Sequence, residues 1–336
     1  MKNIALLGAG SWGTALSRLL AKNGHSVRVW SIDKNEVAML TEFHEQKDKL
    51  PGVILPDNVS FSTDMEATVK NCEIIVMAVP SIFVRSTSKS LSAFYKEGQI
   101  IVDVAKGIEE ATLKTMTEVI ADEIPSATTA ILSGPSHAEE VGKDIPTTVV
   151  CGAKTEEIAR LIQDTFMNEW FRVYTSSDII GIELGGSVKN VIALAAGTVD
   201  GLGYGDNTKA ALMTRGIAEL SRLAIAMGGK IETIAGLAGI GDLIVTCTSK
   251  HSRNRNAGFL MGQGKTYKEA MDEVKMVVEG VYSAKAALGL AKKYNVSMPI
   301  VESINQVLFE EKSAKDACVE LFKRDKTSEA ASVDWQ

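Results

Sequence analysis

A lysine set inside an apolar helical run is where chemistry is most concentrated in this 336-residue chain. Leu184-Gly185-Gly186-Ser187-Val188-Lys189-Asn190-Val191-Ile192-Ala193 leaves the amine little polar company. Taking an ammonium out of water lowers its pKa. Near neutral pH it can then trade a proton with an alcohol or a carbonyl. Asn190 offers a neutral donor one position on. The plainer reading is a lysine snorkelling out of an amphipathic helix; the adjacent glycines, which permit close approach of other groups, favour function. Further along, Gly239-Ile240-Gly241-Asp242 sets a carboxylate between glycine turns, suited to orienting that amine, and Thr246 follows. Ser252-Arg253-Asn254-Arg255-Asn256 reads as an anion pocket, with a planar guanidinium fork for phosphate and neutral donors beside it. Such runs are more often solvated basic loops. No aromatic residues interleave the basic ones, as a single-strand nucleic-acid surface would require.

Two more clusters lie just past predicted strands. Val104-Ala105-Lys106-Gly107 puts a lysine at a strand end, although alone it reads more simply as an exposed loop lysine. Ser133-Gly134-Pro135-Ser136-His137-Ala138 makes a fixed turn with free N–H groups, suited to holding a substrate or a nicotinamide amide. His137 is a lone histidine followed by Glu139-Glu140, and a structural or helix-start role outweighs a catalytic one.

These side chains need a scaffold, and the N-terminus specifies one. Ile4-Ala5-Leu6-Leu7 reads as a strand, Gly8-Ala9-Gly10-Ser11-Trp12-Gly13 as a glycine turn, and Thr14-Ala15-Leu16 as a helix start. This is a dinucleotide-binding fingerprint: a tight turn at Gly8, backbone approach to a pyrophosphate at Gly10, and helix–strand packing at Gly13. Lys2 before an apolar run resembles a secretory leader, but Gly8, Gly10, Arg18 and Lys22 interrupt it. Asp33 stands where a carboxylate commonly meets the adenosine ribose and repels a 2′-phosphate. Lys34 beside it would attract one, and an exposed Asp-Lys pair opening a helix is the simpler alternative. NAD and NADP both stay open.

Val27–Trp30, Ile74–Val79, Ile100–Val104, Thr128–Leu132 and Thr147–Cys151 continue as strands between helical patterns, which predicts a mostly parallel sheet of Rossmann type. From Ser177 onward the pattern becomes helical, over 179–202, 209–227 and 281–294. The expected division is a dinucleotide-binding domain at 1–178 and an all-α substrate domain at 179–336, with the active site in the cleft between them. The polar stretch 323–336 should fray.

Composition narrows the class further. Hydrophobic residues make up 45% and charged residues 23%, and the net charge of −6 disfavours nucleic acid as a partner. Cys72, Cys151, Cys247 and Cys318 are scattered and read as thiols in a reducing compartment. Four separate histidines give no metal-ligand spacing. No apolar run is expected to reach the ~18 residues of a membrane span. A cytoplasmic protein, assembled as a homodimer, is the expectation.

Taken together and in this order, the segments resemble the bacterial NAD(P)-dependent glycerol-3-phosphate dehydrogenases, over residues 3 to about 325. They are Gly8 to Thr14, Ala105-Lys106-Gly107, Ser133 to Ser136, Leu184 to Asn190, Gly239 to Leu243, Thr246-Cys247-Thr248, Ser252-Arg253-Asn254 and Val278-Glu279-Gly280. The resemblance implies hydride transfer between a nicotinamide cofactor and a phosphorylated triose, with Lys189 as proton acceptor and donor. It implies substrate contacts from Lys106, Gly134, Ser136, Asp242, Ser252, Arg253 and Asn254. It places Ser11, Trp12, Lys106, Ala138, Arg253, Val277 and Glu279 along the cofactor. One position departs. Many bacterial members carry Arg or His, which help hold a 2′-phosphate, where this chain has Ile32; that tilts the expectation toward NAD or dual use. A related β-hydroxyacid dehydrogenase and a non-catalytic NAD(H) sensor are the competing readings.

Overall fold

The computed structural model describes residues 1–326, 328 and 329. Eight strands form one sheet in the order β3-β2-β1-β4-β5-β6-β7-β8. They are β1 (Asn3–Leu7), β2 (Ser26–Trp30), β3 (Val59–Ser62), β4 (Ile74–Met77), β5 (Ile100–Asp103), β6 (Thr128–Ser133), β7 (Thr147–Ala153) and β8 (Phe171–Ser176). Every neighbouring pair is parallel except β6 and β7. Strand side chains alternate between the two faces. Ile4, Leu6, Ile74 and Val76 join one apolar cluster, while Ala5, Leu7, Ile75 and Met77 join another on the opposite face. Burial on both faces is why these strands read as continuous apolar runs.

Two strands escaped the sequence reading. Val-Ser-Phe-Ser at β3 and Phe-Arg-Val-Tyr-Thr-Ser at β8 are the sheet's outer strands and are partly exposed. Their polar residues dilute the apolar signal.

The strand order reverses between β1 and β4, and ligands bind at such a switch point beyond the strand ends. Gly8 turns out of β1 there with φ +115°, and a Cβ on it would lie 2.7 Å from the Ala78 carbonyl oxygen at the end of β4. Glycine is required on both counts.

After β8 the chain is helical. The Ile179–Gly201 helix is buried from Gly181 to Val199 and forms the axis of the second apolar core. The helices Asp206–Ala226, Asp242–Thr248, Arg253–Gly262 and Glu279–Lys293 pack around it. This corrects one expectation. Ile179–Gly201 and the segment Ile231–Thr248 are long and apolar enough to cross a membrane, with mean hydropathies of 1.5 and 1.4. The first is 89% buried inside the protein over its most apolar window, as the core helix of a folded domain would be. Of the tail expected to fray, residues 327 and 330–336 lie outside the described residues; the last helix described is Ala314–Phe322.

Candidate active site

The helix Ser11–Lys22 starts at the sheet's switch point. Its N-cap is Gly10, with no side-chain cap and no acidic residue in the first turn. Thr14 N donates to Gly10 O at 2.9 Å, so the N–H groups of Ser11, Trp12 and Gly13 have no acceptor within the helix. Their dipoles favour an anion. A Cβ on Gly10 would meet no atom within 4 Å, which leaves the backbone open to close approach. The Trp12 indole Nε1 is buried without a partner among the described residues. These features fit the diphosphate of a dinucleotide.

At the end of β2, Asp33 Oδ1 accepts from Asn35 N and Glu36 N and caps the helix Lys34–Phe43. Ile32 beside it is 83% exposed. The sequence reading missed the group behind this corner. Buried Glu36 accepts from Ser31 Oγ, from Gln46 Nε2 at 2.7 Å and from Lys49 Nζ. Gln46 Nε2 also reaches Ala9 O at 2.9 Å, tying this corner to the glycine turn.

The second part of the site is a carboxylate shared by two amines. Asp242 Oδ2 lies 2.8 Å from Lys106 Nζ, and Asp242 Oδ1 accepts from Lys189 Nζ. Lys106 comes from the loop after β5, Lys189 from the core helix, and Asp242 from a short helix entered through a wide turn, Leu237–Gly241. Single wide turns of this kind recur at functional sites. Gly185 lets that turn approach: a Cβ there would lie 2.3 Å from the Ala238 carbonyl oxygen. Lys106 Nζ also donates to Gly134 O at 2.9 Å, and Ser136 Oγ donates to the same oxygen at 2.9 Å. The turns after β5 and β6 therefore meet at this centre.

Two cations share one carboxylate here, almost out of water. Lys189 is 4% exposed and Asp242 1%. Burial pulls the Lys189 pKa down to about 7; the carboxylate of Asp242 resists this and the charge of Lys106 adds to it. Burial pushes Asp242 up, but the two ammonium groups outweigh it and hold the carboxyl below its usual range. Thr246, mentioned in the sequence reading without a role, fixes the geometry. Its Oγ1 donates to Asp242 O at 2.6 Å and so accepts from Lys189 Nζ at 2.7 Å. Asp242 and Thr246 thus take two of the three Lys189 N–H bonds and leave one.

A shell of amides closes around this centre. Asn190 Nδ2 donates to Lys106 O at 3.4 Å and Gly186 O at 3.3 Å, and its Oδ1 accepts from Asn254 Nδ2 at 2.9 Å. Asn254 Oδ1 accepts from Gly280 N at 2.8 Å. Ser252 Oγ caps the Arg253–Gly262 helix by accepting from Arg255 N. Arg253 places one guanidinium nitrogen 3.2 Å from Val277 O and is only partly buried. Glu279 reaches across to the sheet, where its carboxylate accepts from Ser81 N at 3.0 Å and from Ser81 Oγ. Burial pushes Glu279 up, against those bonds and the charge of Arg253. Ser81, just past β4, was not singled out from sequence. Ala138 is buried at the start of a short helix, Ala138–Val141. Asp33 stands apart from the amine centre, on the far side of the glycine turn across β2.

Known proteins resemble this chain over nearly its whole length. The model for the NAD-dependent glycerol-3-phosphate dehydrogenase N-terminus matches residues 3–159, and that for the C-terminus matches residues 178–319. A glycerol-3-phosphate dehydrogenase (NAD(P)+) of Agathobacter rectalis is 65% identical over 336 residues, covering 100% of both chains. One from Fusobacterium nucleatum is 57% identical over 334 residues, covering 99% of this chain and 100% of the other. The crystal structure of glycerol-3-phosphate dehydrogenase from Coxiella burnetii superposes with a TM-score of 0.93 at 36% identity, covering 96% of this chain and 99% of that one. The chain belongs to the NAD-dependent glycerol-3-phosphate dehydrogenase family.

Proposed function

We propose that the pocket around Lys189 interconverts sn-glycerol 3-phosphate and dihydroxyacetone phosphate with NAD or NADP, supplying glycerol phosphate for phospholipid synthesis. The observation that carries the reading is the buried Lys189 amine, held on Asp242 beside a second cation where the turns after β5 and β6 meet. The nicotinamide, when bound, supplies or accepts the hydride. In reduction, negative charge grows on the carbonyl oxygen as the bond order falls. The remaining N–H of Lys189 stabilises that charge and then transfers its proton. In oxidation the neutral amine takes the hydroxyl proton. Asp242 and Thr246 keep the amine from rotating away in either direction. Lys106, Gly134, Ser136, Ser252 and Arg253 line the substrate side in this reading. Asn190 and Asn254, whose amides already bond to each other, act through the shape they hold. Residues 1–178 bind the dinucleotide, and 179–336 supply the amine and the anion pocket.

The pH dependence follows from the direction of the Lys189 shift. Reduction needs the protonated amine, so kcat/KM for dihydroxyacetone phosphate should be level in acid and fall as pH rises through about 7. Oxidation needs the neutral amine and should rise through the same region to a plateau. Initial rates in both directions across that range check this; parallel profiles would remove the amine from proton transfer.

Arg253 carries the second expectation. Its guanidinium keeps donors beyond the one on Val277 O, at the start of a helix whose dipole also favours anions. Arg253→Ala should raise the KM for dihydroxyacetone phosphate by roughly tenfold or more, the scale of a lost charge-assisted hydrogen bond. It should do little to unphosphorylated dihydroxyacetone. An equal loss on both substrates would mean that the arginine does not read phosphate.

The β2 corner supports use of NADH. Exposed Ile32 offers a 2′-phosphate no donor, and the Asp33 carboxylate that caps the next helix stands beside it. Initial-rate reduction of dihydroxyacetone phosphate with NADH and NADPH side by side tests cofactor and substrate together. Activity confined to 3-hydroxy acids would overturn the reading. A cytoplasmic homodimer completes it, in keeping with the free thiols of Cys72, Cys151, Cys247 and Cys318. Sedimentation tests the dimer.

A further inference from the structure

We propose that His137 is a further substrate-binding residue of this site, its Nε2 hydrogen-bonding the phosphate of the triose. The proposal rests on the reading above that the substrate is a phosphorylated triose.

Three observations lead to it. First, His137 Nε2 is buried and has no hydrogen-bond partner among the described residues. A buried imidazole nitrogen without a partner costs free energy, and each such atom in a native fold needs a reason. A ligand that completes the bond is a reason that fits a binding cleft. Second, the ring lies near the centre of the site: His137 directly follows Ser136, which shares the Gly134 carbonyl with Lys106, and the charges of Lys189, Glu139, Lys106 and Asp242 act on it. Burial and the two lysines hold the imidazole below its usual pKa, so at neutral pH it is an uncharged ring carrying one N–H and one lone pair. Third, the ring packs against His251, with centroids 5.9 Å apart and planes tilted by 57°. His251 immediately precedes Ser252, the cap of the helix whose first residue is Arg253.

His137 therefore stands between two sub-sites. On one side is the amine that meets the reacting oxygen, and on the other is the helix start where the anion end belongs. Lys189 already serves the carbonyl. The neighbour on the other side is the phosphate end, and a dianion brings acceptors in excess of those that Arg253 and the helix N–H groups can satisfy. With its N–H on Nε2, the imidazole donates to one of those oxygens. The turn Gly134-Pro135-Ser136 fixes where His137 begins, because Ser136 Oγ and Lys106 Nζ both hold the Gly134 carbonyl.

The test compares His137→Phe, which keeps a ring of similar size, with His137→Gln, which keeps a donor of similar reach. Each is assayed with dihydroxyacetone phosphate and with dihydroxyacetone, and each is titrated with inorganic phosphate as a competitive inhibitor. His137→Phe should raise both the KM for the phosphorylated substrate and the inhibition constant of phosphate by roughly tenfold, with kcat little changed. The KM for dihydroxyacetone should stay within about twofold, and His137→Gln should recover most of the loss. Unchanged constants in His137→Phe would overturn the proposal, and so would equal losses on both substrates. Thermal unfolding of both variants separates a misfolded protein from a weakened site, and His137→Gln alone still decides if His137→Phe does not fold. A wild-type protein inactive on dihydroxyacetone phosphate that still binds inorganic phosphate in a direct titration, weakened in His137→Phe, would sink the parent reading and reduce this one to a phosphate site at His137.

Discussion

Lys189→Ala is expected to lose at least ~10²-fold in turnover while binding NADH with near wild-type affinity, a loss on the scale of a general acid–base term. The variant isolates chemistry from folding because of how charge is arranged around it. Removing the amine does not orphan Asp242, whose Oδ2 keeps Lys106 Nζ at 2.8 Å. Thr246 Oγ1 keeps its bond to the Asp242 carbonyl. The centre goes from two cations and one carboxylate to one of each, so no buried charge is stranded. The glycine turn and the start of the Ser11–Lys22 helix make no contact with the lost amine among the described hydrogen bonds, so the dinucleotide cradle stays intact. NADH titration followed by intrinsic tryptophan fluorescence, beside single-turnover rates, measures both halves of the expectation. The pH inflection near 7 should vanish in the residual activity. Turnover unchanged from wild type would strip Lys189 of its role, and the enzyme reading would lose its main support.

The sequence disclosed some of this centre and hid the rest, for physical reasons. Lys189 was legible because a charged side chain in an apolar run contradicts its surroundings, and Asp242 because glycines flank it. The inner strands were legible because both their faces are buried. The outer strands β3 and β8 were not, because their partly exposed faces carry Ser, Thr and Arg. Ser81 was invisible because its only notable act is to bond Glu279, 198 positions away. Glu36 and Gln46 were hidden for a similar reason: an ordinary helical glutamate becomes a buried hub once the fold brings Ser31, Gln46 and Lys49 to it. The converse also holds. Asn190 and Asn254 look like free donors in sequence, whereas in the fold their amides are joined to each other and to the backbone. Residue type shows what a side chain can offer; only the fold shows how much of it is already taken.

Asp242→Ala should be the most destabilising single change in the site, by about 3–5 kcal/mol, the scale of breaking a buried ion pair from one side. The carboxylate is 1% exposed and balances two ammonium groups, one almost as deeply buried. Without it, Lys106 can turn toward water, since its side chain is 18% exposed. Lys189 is 4% exposed and has nowhere to go. Its pKa, already lowered in the wild type, must fall further. The direction with pH follows. Below the folded-state pKa of Lys189 the variant must bury an unbalanced ammonium, and the full penalty applies. As pH rises through that value the amine sheds its proton in the folded state while the unfolded chain keeps it, so stability is regained. The gap to wild type is therefore widest in acid and narrows as pH rises toward 7. Thermal unfolding from pH 5 to 9 measures this, and a double variant, Lys189→Met with Asp242→Ala, measured beside both single variants, closes the cycle. Removing both charges should recover most of the stability and none of the activity, giving a coupling energy of opposite sign to the single losses. A single variant as stable as wild type at pH 5 would show that the carboxylate does not neutralise the amines.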